Sequence, residues 1–280
     1  MKFAAAVIGA LVVANVFVWQ AVFPPDGGRL RVSFLDIGQG DAVLIEGPTG
    51  LQMLVDGGPD RGVVRRLAEE MSPLDRTIDL VVATHPDKDH IAGLTDVFDR
   101  YGISYFIESS VKGDTSAAAS LGEAAASEPG LARMTAHRGQ RIHLGGGAYA
   151  DILFPDRDVS GVETNTGSVV MRIVYGDTSF LLTGDSPLSI EDWLMKLDTA
   201  SLNADILKAG HHGSRTSTSR EFLSAVSPGT VVISAGKDNS YGHPHKEVLQ
   251  NIAEAGAAAL STADKGTIIF VSDGSDIERK

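Results

Sequence analysis

Short apolar segments with the pattern of buried strands recur from residue 29 onward, and they alternate with helical segments. The predicted strands are RLRVSFLDI, AVLIEG, LQMLVDGG, LVVATH, YFIES, YADILF, SVVMRIVY, SFLLTGD, ADILKA, TVVISA and TIIFVS. The predicted helices are Arg61–Met71, Ile91–Tyr101, Ser116–Ser127, Pro187–Leu197, Ser219–Val226 and His245–Ala255. Two β-rich halves, each with its own helices, predict an α/β (α+β) fold in which two sheets pack together and helices cover their outer faces.

The composition excludes cysteine-based sites and limits how a polyanionic substrate can be bound. The chain has 280 residues and no cysteine, which excludes disulfide bonds, cysteine–zinc clusters and thiolate catalysis. It carries 24 Lys and Arg against 36 Asp and Glu, a net charge of −12. A surface with this charge repels nucleic acid over most of its area, so a polyanionic substrate must be held by a local positive centre such as Arg, Lys or a bound metal.

An uncharged apolar segment, Phe3–Phe23, precedes the predicted sheets and follows Lys2. A helix of about 20 apolar residues spans the hydrocarbon layer of a membrane, and Trp19 and Phe23 fit the interface at its far end. We therefore expect residues 1–28 to be a transmembrane anchor with a linker, and residues 29–280 to form one domain outside the cytoplasmic membrane. A cleaved signal peptide, which would give a secreted protein, is the alternative.

The segment Thr84–His90 (THPDKDH) places two histidines and two aspartates where a predicted strand ends and a helix begins. In an extended segment His85, Asp87 and Asp89 point the same way, because side chains alternate along a strand, and His90 follows at the turn into the helix. Imidazole and carboxylate are ligands that Zn²⁺, Mn²⁺ or Fe²⁺ accept. Capping of free N–H groups at the helix start explains one aspartate but not the flanking histidines. The segment therefore predicts metal binding.

Further segments rich in histidine or aspartate lie at the ends of other predicted strands. They contain Asp56 (VDGG), Asp185 (LLTGD), His211 and His212 (KAGHHGS), and His243 with His245 (YGHPH). Each alone is a weak signal, because glycine and aspartate are common in turns. If the sheets stack with their carboxyl edges on one side, these segments and Thr84–His90 converge there, and we expect a single metal centre at that edge.

Together these segments resemble the metallo-β-lactamase superfamily, whose signature is His-x-His-x-Asp-His after a strand, then a bridging aspartate and further histidines at later strand ends. The sequence is similar to the soluble hydrolase domain of the ComEC competence proteins from about Leu30 to Ser272. The similar phrases are FLDIGQGDAVLIEGPTG, LVDGG, THPDKDHIAGL, NTGSVVMRI, FLLTGD, LKAGHHGS and YGHPH. Only one apolar segment stands where ComEC transporters have many spans, so the resemblance implies the hydrolase chemistry and not a DNA channel.

The resemblance implies a four-layer αββα sandwich with a dinuclear site for two divalent ions, Zn²⁺ or Mn²⁺. His85 and Asp87 would hold one metal. Asp89 and His90 would hold the other, and Asp185 would bridge the two. Asp87 replaces the second histidine of the signature, and this exchange of imidazole for carboxylate moves the metal preference from Zn²⁺ toward Mn²⁺.

The resemblance also implies roles for the later motifs. One of His211 and His212 would complete the first site, the choice between them being open, and His243 would complete the second. Asp56 would lie beside the ligands and orient one of them. The residues expected to act in catalysis are Asp89, Asp185 and His212.

Several loop residues could position a phosphate, although such residues are also common in turns for backbone reasons. They are Gln39, Asp41, Asn165, Ser168, Ser214 and Lys265. Lys88 and Lys208 are better-placed cations, with a solvated lysine as the simpler interpretation.

The function implied is a metal-dependent hydrolase that uses a metal-activated hydroxide. We expect a phosphodiesterase or nuclease acting on DNA outside the cytoplasmic membrane, although the net charge of −12 and an aromatic content of 6% weaken this expectation. The alternatives are a phosphorylcholine-type esterase or a lactamase on the same site, and a non-catalytic membrane-anchored module whose metal is structural. The expected partners are a phosphodiester substrate and the membrane.

Overall fold

The computed structural model describes residues 7–9, 11 and 27–280. Most of the segment Phe3–Phe23, for which we predict a membrane span, therefore lies outside the described residues. Within the described ranges, no helix combines the length and the apolar character needed to cross a membrane. The anchor and its boundary at residue 28 stay predictions.

Strands and helices follow one another along the described chain. Residues 30–135 form β1 (Leu30–Phe34), β2 (Val43–Glu46), β3 (Gln52–Val55), α1 (Gly62–Glu70), β4 (Thr77–Ala83), α2 (Lys88–Arg100), β5 (Gly102–Glu108), α3 (Ser116–Ser127) and β6 (Ala132–Thr135). Residues 141–279 form β7 (Arg141–Gly145), β8 (Ala148–Phe154), β9 (Val170–Tyr175), β10 (Thr178–Leu182), α4 (Leu188–Asp198), β11 (Ile206–Lys208), α5 (Arg220–Val226), β12 (Thr230–Ile233), α6 (Lys246–Glu254), β13 (Ala258–Ser261), α7 (Thr262–Lys265), β14 (Ile268–Ser272) and β15 (Ile277–Arg279).

The strands form two sheets. Their orders are β15-β14-β1-β2-β3-β4-β5-β6 and β13-β12-β11-β10-β9-β8-β7. In the first sheet β3 to β6 are parallel to one another, and in the second β10 to β13 are parallel. Because parallel strands end at the same edge of a sheet, the loops after β3 and β4 lie together, as do those after β10, β11 and β12.

The two sheets pack face to face, and helices cover both outer faces. Alternation along β10 shows this arrangement, since Phe180 and Leu182 join the core between the sheets whereas Leu181 faces the helices. Helices α1 to α3 pack on the first sheet, and α4 to α6 pack on the second. The predicted pair of sheets with outer helices is confirmed, and the result is the four-layer αββα sandwich that the resemblance implies.

One predicted boundary is wrong in a way that matters for the site. The sequence places the helix start at Ile91, with an extended segment through Asp89, but the helix begins at Lys88. The amide groups of His90 and Ile91 both donate to the carbonyl oxygen of Asp87, at 3.0 and 3.1 Å. Asp89 therefore lies in the first helical turn, where the partial positive charge of the helix end stabilises a carboxylate.

The core between the sheets generates a stability prediction. Phe180 is fully buried there, and its ring contacts Phe270 edge-on at 6.1 Å. We expect Phe180→Ala to lower the free energy of unfolding by about 3–5 kcal/mol, because it removes buried apolar surface and leaves a cavity. Urea unfolding of the full chain measures this loss. Leu74→Ala is the matched control, since Leu74 is 77% exposed; equal loss in both variants would contradict the assignment of the core.

Candidate metal centre

A buried group of carboxylates and imidazoles lies where the loops of both sheets meet. Asp41, His90, Asp185 and His212 each offer a ligand atom, and these atoms lie within 4.8 Å of one another. All four side chains are buried. Since Asp41 and His90 belong to the first sheet's side and Asp185 and His212 to the second, the carboxyl edges of the two sheets share one rim.

His90 is held from behind by Asp56. The Nδ1 atom of His90 lies 2.8 Å from Oδ2 of Asp56, and Asp56 also accepts hydrogen bonds from the amide and the hydroxyl of Thr84, at 2.8 and 2.7 Å. These contacts fix the ring, so that Nε2 of His90 faces Asp185 at 3.3 Å. Asp56 thus has the position of a residue that orients a metal ligand without binding the metal itself.

His212 is held in the same way by a backbone carbonyl. Its Nδ1 atom donates to the carbonyl oxygen of Ser234 at 3.0 Å, which leaves Nε2 directed toward Asp89 and Asp185, at 3.3 and 3.4 Å from their Oδ2 atoms. Both His211 and His212 have positive φ, 47° and 54°. Such a conformation is uncommon and strained for residues other than glycine, and it is enriched at functional sites.

Asp41 and Asp185 share a buried cation. The ammonium group of Lys208 forms an ion pair with Asp41, lies 3.5 Å from Oδ1 of Asp185 and donates to the carbonyl oxygen of Gly184 at 3.0 Å. The Lys208 side chain is buried. A buried ammonium group is stable only where anions and hydrogen-bond acceptors surround it, so Lys208 fixes both carboxylates in place.

Burial and neighbouring charges together leave the pKa of both His85 and Asp185 below its ordinary value. Burial, with His90 as the next cause, lowers the pKa of His85 to about 3. Burial also opposes ionisation of Asp185, but His212, His90 and Lys208 hold the pKa of that carboxyl well below its usual value. His85 is therefore a neutral imidazole and Asp185 a carboxylate, which are the protonation states that bind metal. Burial opposes the charged form of His90 and His212, but Asp185 raises the pKa of His90 well above its usual value and that of His212 to about 9, so both must lose a proton when metal binds.

The donor set fits divalent metal ions. Several buried polar atoms at this rim have no hydrogen-bond partner, namely Nε2 of His85, His90 and His212, Oδ1 of Asp41 and of Asp185, and Nδ1 of His243. Leaving such atoms unpaired costs free energy, and metal coordination by their lone pairs would remove that cost. Imidazole nitrogen with carboxylate oxygen is the donor chemistry of Zn²⁺ and Mn²⁺ sites.

The structure shows which of the predicted ligands lie close together. His85 is buried, with Nε2 3.7 Å from Oδ2 of Asp87, and its ring lies 4.1 Å from that of His90. His212 lies against Asp89 and Asp185, on the side of His90. The sequence assigns one of His211 and His212 to the site of His85 and Asp87, whereas the geometry groups His212 with Asp89 and His90.

His211 and His243 lie at the rim rather than in the buried group. His211 is partly exposed, 3.7 Å from Asp185 through Nε2, and its Nδ1 contacts the hydroxyl of Thr216 at 3.0 Å. The ring of His243 lies 5.6 Å from that of His211 and 6.3 Å from that of His212. Of the paired histidines, His212 is therefore the one whose ring is buried among the donors.

The residues predicted to position a phosphate are dispersed. Asp41 lies within the buried group, and Gln39 accepts a hydrogen bond from the amide of Gly236 at 3.2 Å through Oε1. Oδ1 of Asn165 is buried without a partner.

Ser214 is buried and accepts hydrogen bonds from Thr216. Ser168 accepts from the amide of Asp185 at 3.3 Å, and Lys265 is exposed at the end of α7.

Two residues support the ligands in ways that the sequence does not predict. Thr84 supplies two of the hydrogen bonds to Asp56, and Ser234 acts through its backbone carbonyl. A backbone acceptor leaves no trace in residue type, and a threonine at a strand end is ordinary. The sequence marks Lys208 as a well-placed cation, but only the fold shows that it is buried between the carboxylates of Asp41 and Asp185.

The buried cation generates a testable prediction. We expect Lys208→Met to lower the free energy of unfolding of the metal-free protein by about 3–5 kcal/mol, because Asp41 and Asp185 lose their buried counter-ion. The double variant Asp41→Asn/Lys208→Met should recover part of this loss, since it removes both charges of the pair. Urea unfolding in the presence of a chelator is the measurement, with Lys265→Met as the exposed control. A single variant as stable as the control would contradict the prediction.

Comparison with known proteins agrees with this geometry. Residues 35–237 match the model of the Metallo-beta-lactamase superfamily. The chain is 29% identical over 267 residues to ComE operon protein 3 of Bacillus subtilis (strain 168), an alignment that covers 89% of this chain and 34% of that protein. It is 28% identical over 242 residues to Competence protein ComA of Neisseria gonorrhoeae, covering 85% of this chain and 32% of that protein. The chain thus spans about a third of the length of these relatives.

A solved structure shows the same fold. The metallo-beta-lactamase fold protein YhfI from Bacillus subtilis superposes with a TM-score of 0.59 at 14% identity, covering 87% of this chain and 100% of that one. At this identity the likeness concerns the fold alone. The family match covers more than half of the sequence and includes Asp41, the Thr84–His90 motif, Asp185 and His212. The chain belongs to the metallo-beta-lactamase superfamily, whose members are generally metal-dependent hydrolases.

Proposed function

We propose that the chain is a metal-dependent phosphodiesterase that cuts DNA outside the cytoplasmic membrane, where Phe3–Phe23 anchors it. The observation that carries the proposal is the buried convergence of unpartnered imidazole nitrogens on the carboxylate of Asp185. The similarity to a competence protein supports DNA as the substrate. The acidic residues of the site favour an anionic substrate only when cations are bound, because Lys208 alone does not balance them.

The residues divide into two ligand groups around Asp185. Asp89, His90 and His212 form one group and would hold one ion, and Asp41, which pairs with Lys208, lies beside that group. His85 and Asp87 form the other group, with fewer donors, so an ion there would keep positions open for substrate. Bound divalent ions supply Lewis acidity toward a phosphoryl oxygen and lower the pKa of a water molecule toward ~7.

The groups around the ligands have positioning roles in the proposed reaction. Asp56 and the Ser234 carbonyl hold the rings of His90 and His212, so little reorganisation is needed when ions bind. The ammonium group of Lys208 lies 3.5 Å from Oδ1 of Asp185 and holds this oxygen by charge attraction. Asn165, whose Oδ1 is buried without a partner, is the residue that we assign to orienting the phosphodiester or its water.

The first test of the proposal is the loss of Asp185. We expect Asp185→Asn to lower kcat/KM for single-stranded DNA by about three orders of magnitude or more, the scale seen when one member of a cooperating catalytic group is removed. Asp177→Asn is the matched control, because Asp177 is exposed in the turn between β9 and β10. Undiminished cutting by Asp185→Asn would overturn the proposal, as would chelator-resistant cutting by the unaltered chain.

The second test concerns the metal. Because carboxylate ligands favour Mn²⁺ and imidazole favours Zn²⁺, we expect Mn²⁺ to restore the stripped protein at least as well as Zn²⁺. The variant Asp87→His should move the preference toward Zn²⁺. The activity of stripped protein against graded Mn²⁺ and Zn²⁺ measures this shift, with Asp177→His as the control. A strict requirement for Zn²⁺ in the unaltered chain would contradict the role given to Asp87.

A further inference from the structure

A row of aromatic rings leads from the buried metal ligands to the solvent. The ring of His212 lies 6.0 Å from that of His211, which lies 5.6 Å from that of His243. The ring of Tyr241 then stacks on His243, with the centroids 5.7 Å apart and the planes at 23°. Exposure rises along the row from 1% at His212 to 64% at Tyr241. The candidate site therefore has an aromatic surface on one side.

The loop that carries Tyr241 is held in place by its own hydrogen bonds. Oδ1 of Asn239 accepts from the amides of Tyr241 and His243, at 3.2 and 3.0 Å. Nδ2 of Asn239 donates to the carbonyl oxygens of Gly236 and His243, at 2.9 and 2.6 Å. The amide of Gly236 donates in turn to Oε1 of Gln39, on the first sheet's side, at 3.2 Å. Tyr241 is thus presented by an ordered loop.

Within residues 27–280, Tyr241 is the most exposed of the Phe, Tyr and Trp side chains, at 64% against 50% for Tyr105, the next in order. Keeping a large ring in water forgoes the stabilisation that its burial would give. One face of the Tyr241 ring lies on His243, and within residues 27–280 no second ring contacts it. The ring therefore offers a flat apolar face beside the ligand loops.

We propose that Tyr241 is a stacking subsite for an unpaired nucleobase of single-stranded DNA whose phosphodiester lies at the metal centre. This inference rests on the proposed function and adds the substrate form. A base in a duplex already stacks on its neighbours, whereas an unpaired base has a free face for an aromatic side chain. Proteins that hold nucleic acid mainly through its phosphates have an excess of basic residues. This chain has a net charge of −12 instead, so binding of a base by one aromatic ring beside bound cations suits it better.

The test compares two strands that carry the same phosphates. One is a single-stranded oligonucleotide of thymidine, and the other consists of tetrahydrofuran units, which have no base. For the full chain loaded with Mn²⁺ we expect kcat/KM to be about 5- to 150-fold higher on the thymidine strand, the effect of one base–aromatic stack. The ratio should fall toward one in Tyr241→Ala and persist in Tyr241→Phe, which keeps the ring.

Tyr105→Ala is the matched control, because Tyr105 is also exposed, at 50%, but lies on β5 and not in a ligand loop. It should keep the ratio of the unaltered chain. Binding of both strands is measured separately by fluorescence anisotropy with the Asp185→Asn protein, in which cutting is expected to be about three orders of magnitude slower. There too the preference for the thymidine strand should depend on the ring of Tyr241.

The outcomes separate the two proposals. If both strands are cut but Tyr241→Ala keeps the ratio of the unaltered chain, the stacking subsite is refuted while the nuclease stands. If no strand is cut but binding still prefers thymidine in a Tyr241-dependent manner, the nuclease fails and the subsite stands. Equal losses in Tyr241→Phe and Tyr241→Ala would also refute stacking, because the phenyl ring alone should suffice.

Discussion

A buried carboxylate is stable only where positive charge and hydrogen-bond donors surround it, and the site is organised around this constraint at Asp185. Two imidazoles face one of its oxygens, with Nε2 of His90 at 3.3 Å and of His212 at 3.4 Å. Lys208 approaches the other oxygen at 3.5 Å. Neither imidazole can turn away, since Asp56 and the Ser234 carbonyl hold their Nδ1 atoms.

The fold brings these groups together through the ends of its parallel strands. The loop after β4 carries His85 and leads into α2, which carries Asp89 and His90 in its first turn. Close backbone contacts lock this turn against the first sheet: the amide of Asp41 donates to the carbonyl oxygen of Asp89 at 3.2 Å. A Cβ atom at Gly40 would lie 2.0 Å from that same oxygen, so only glycine fits there.

Much of this arrangement could be predicted from the sequence, and the reasons for the exceptions are physical. The buried strands and the Thr84–His90 motif carry strong patterns of hydrophobicity and residue type. The edge strands β6, β7, β13 and β15 were missed because many of their side chains are exposed, so no apolar alternation marks them. The grouping of His212 with Asp89 depends on the left-handed turn at His211 and His212, which residue order alone does not reveal. Likewise the partners of Lys208 are distant in sequence.

The proposed function depends on the binding of two divalent ions by the donors around Asp185. Anomalous diffraction from crystals of the full chain grown with Mn²⁺ tests it most directly. Two anomalous peaks are expected at this rim, one that would be held by Nε2 of His90 and of His212 and another that would be held by Nε2 of His85. Density without any peak at this rim, or a metal bound only elsewhere on the molecule, would contradict it.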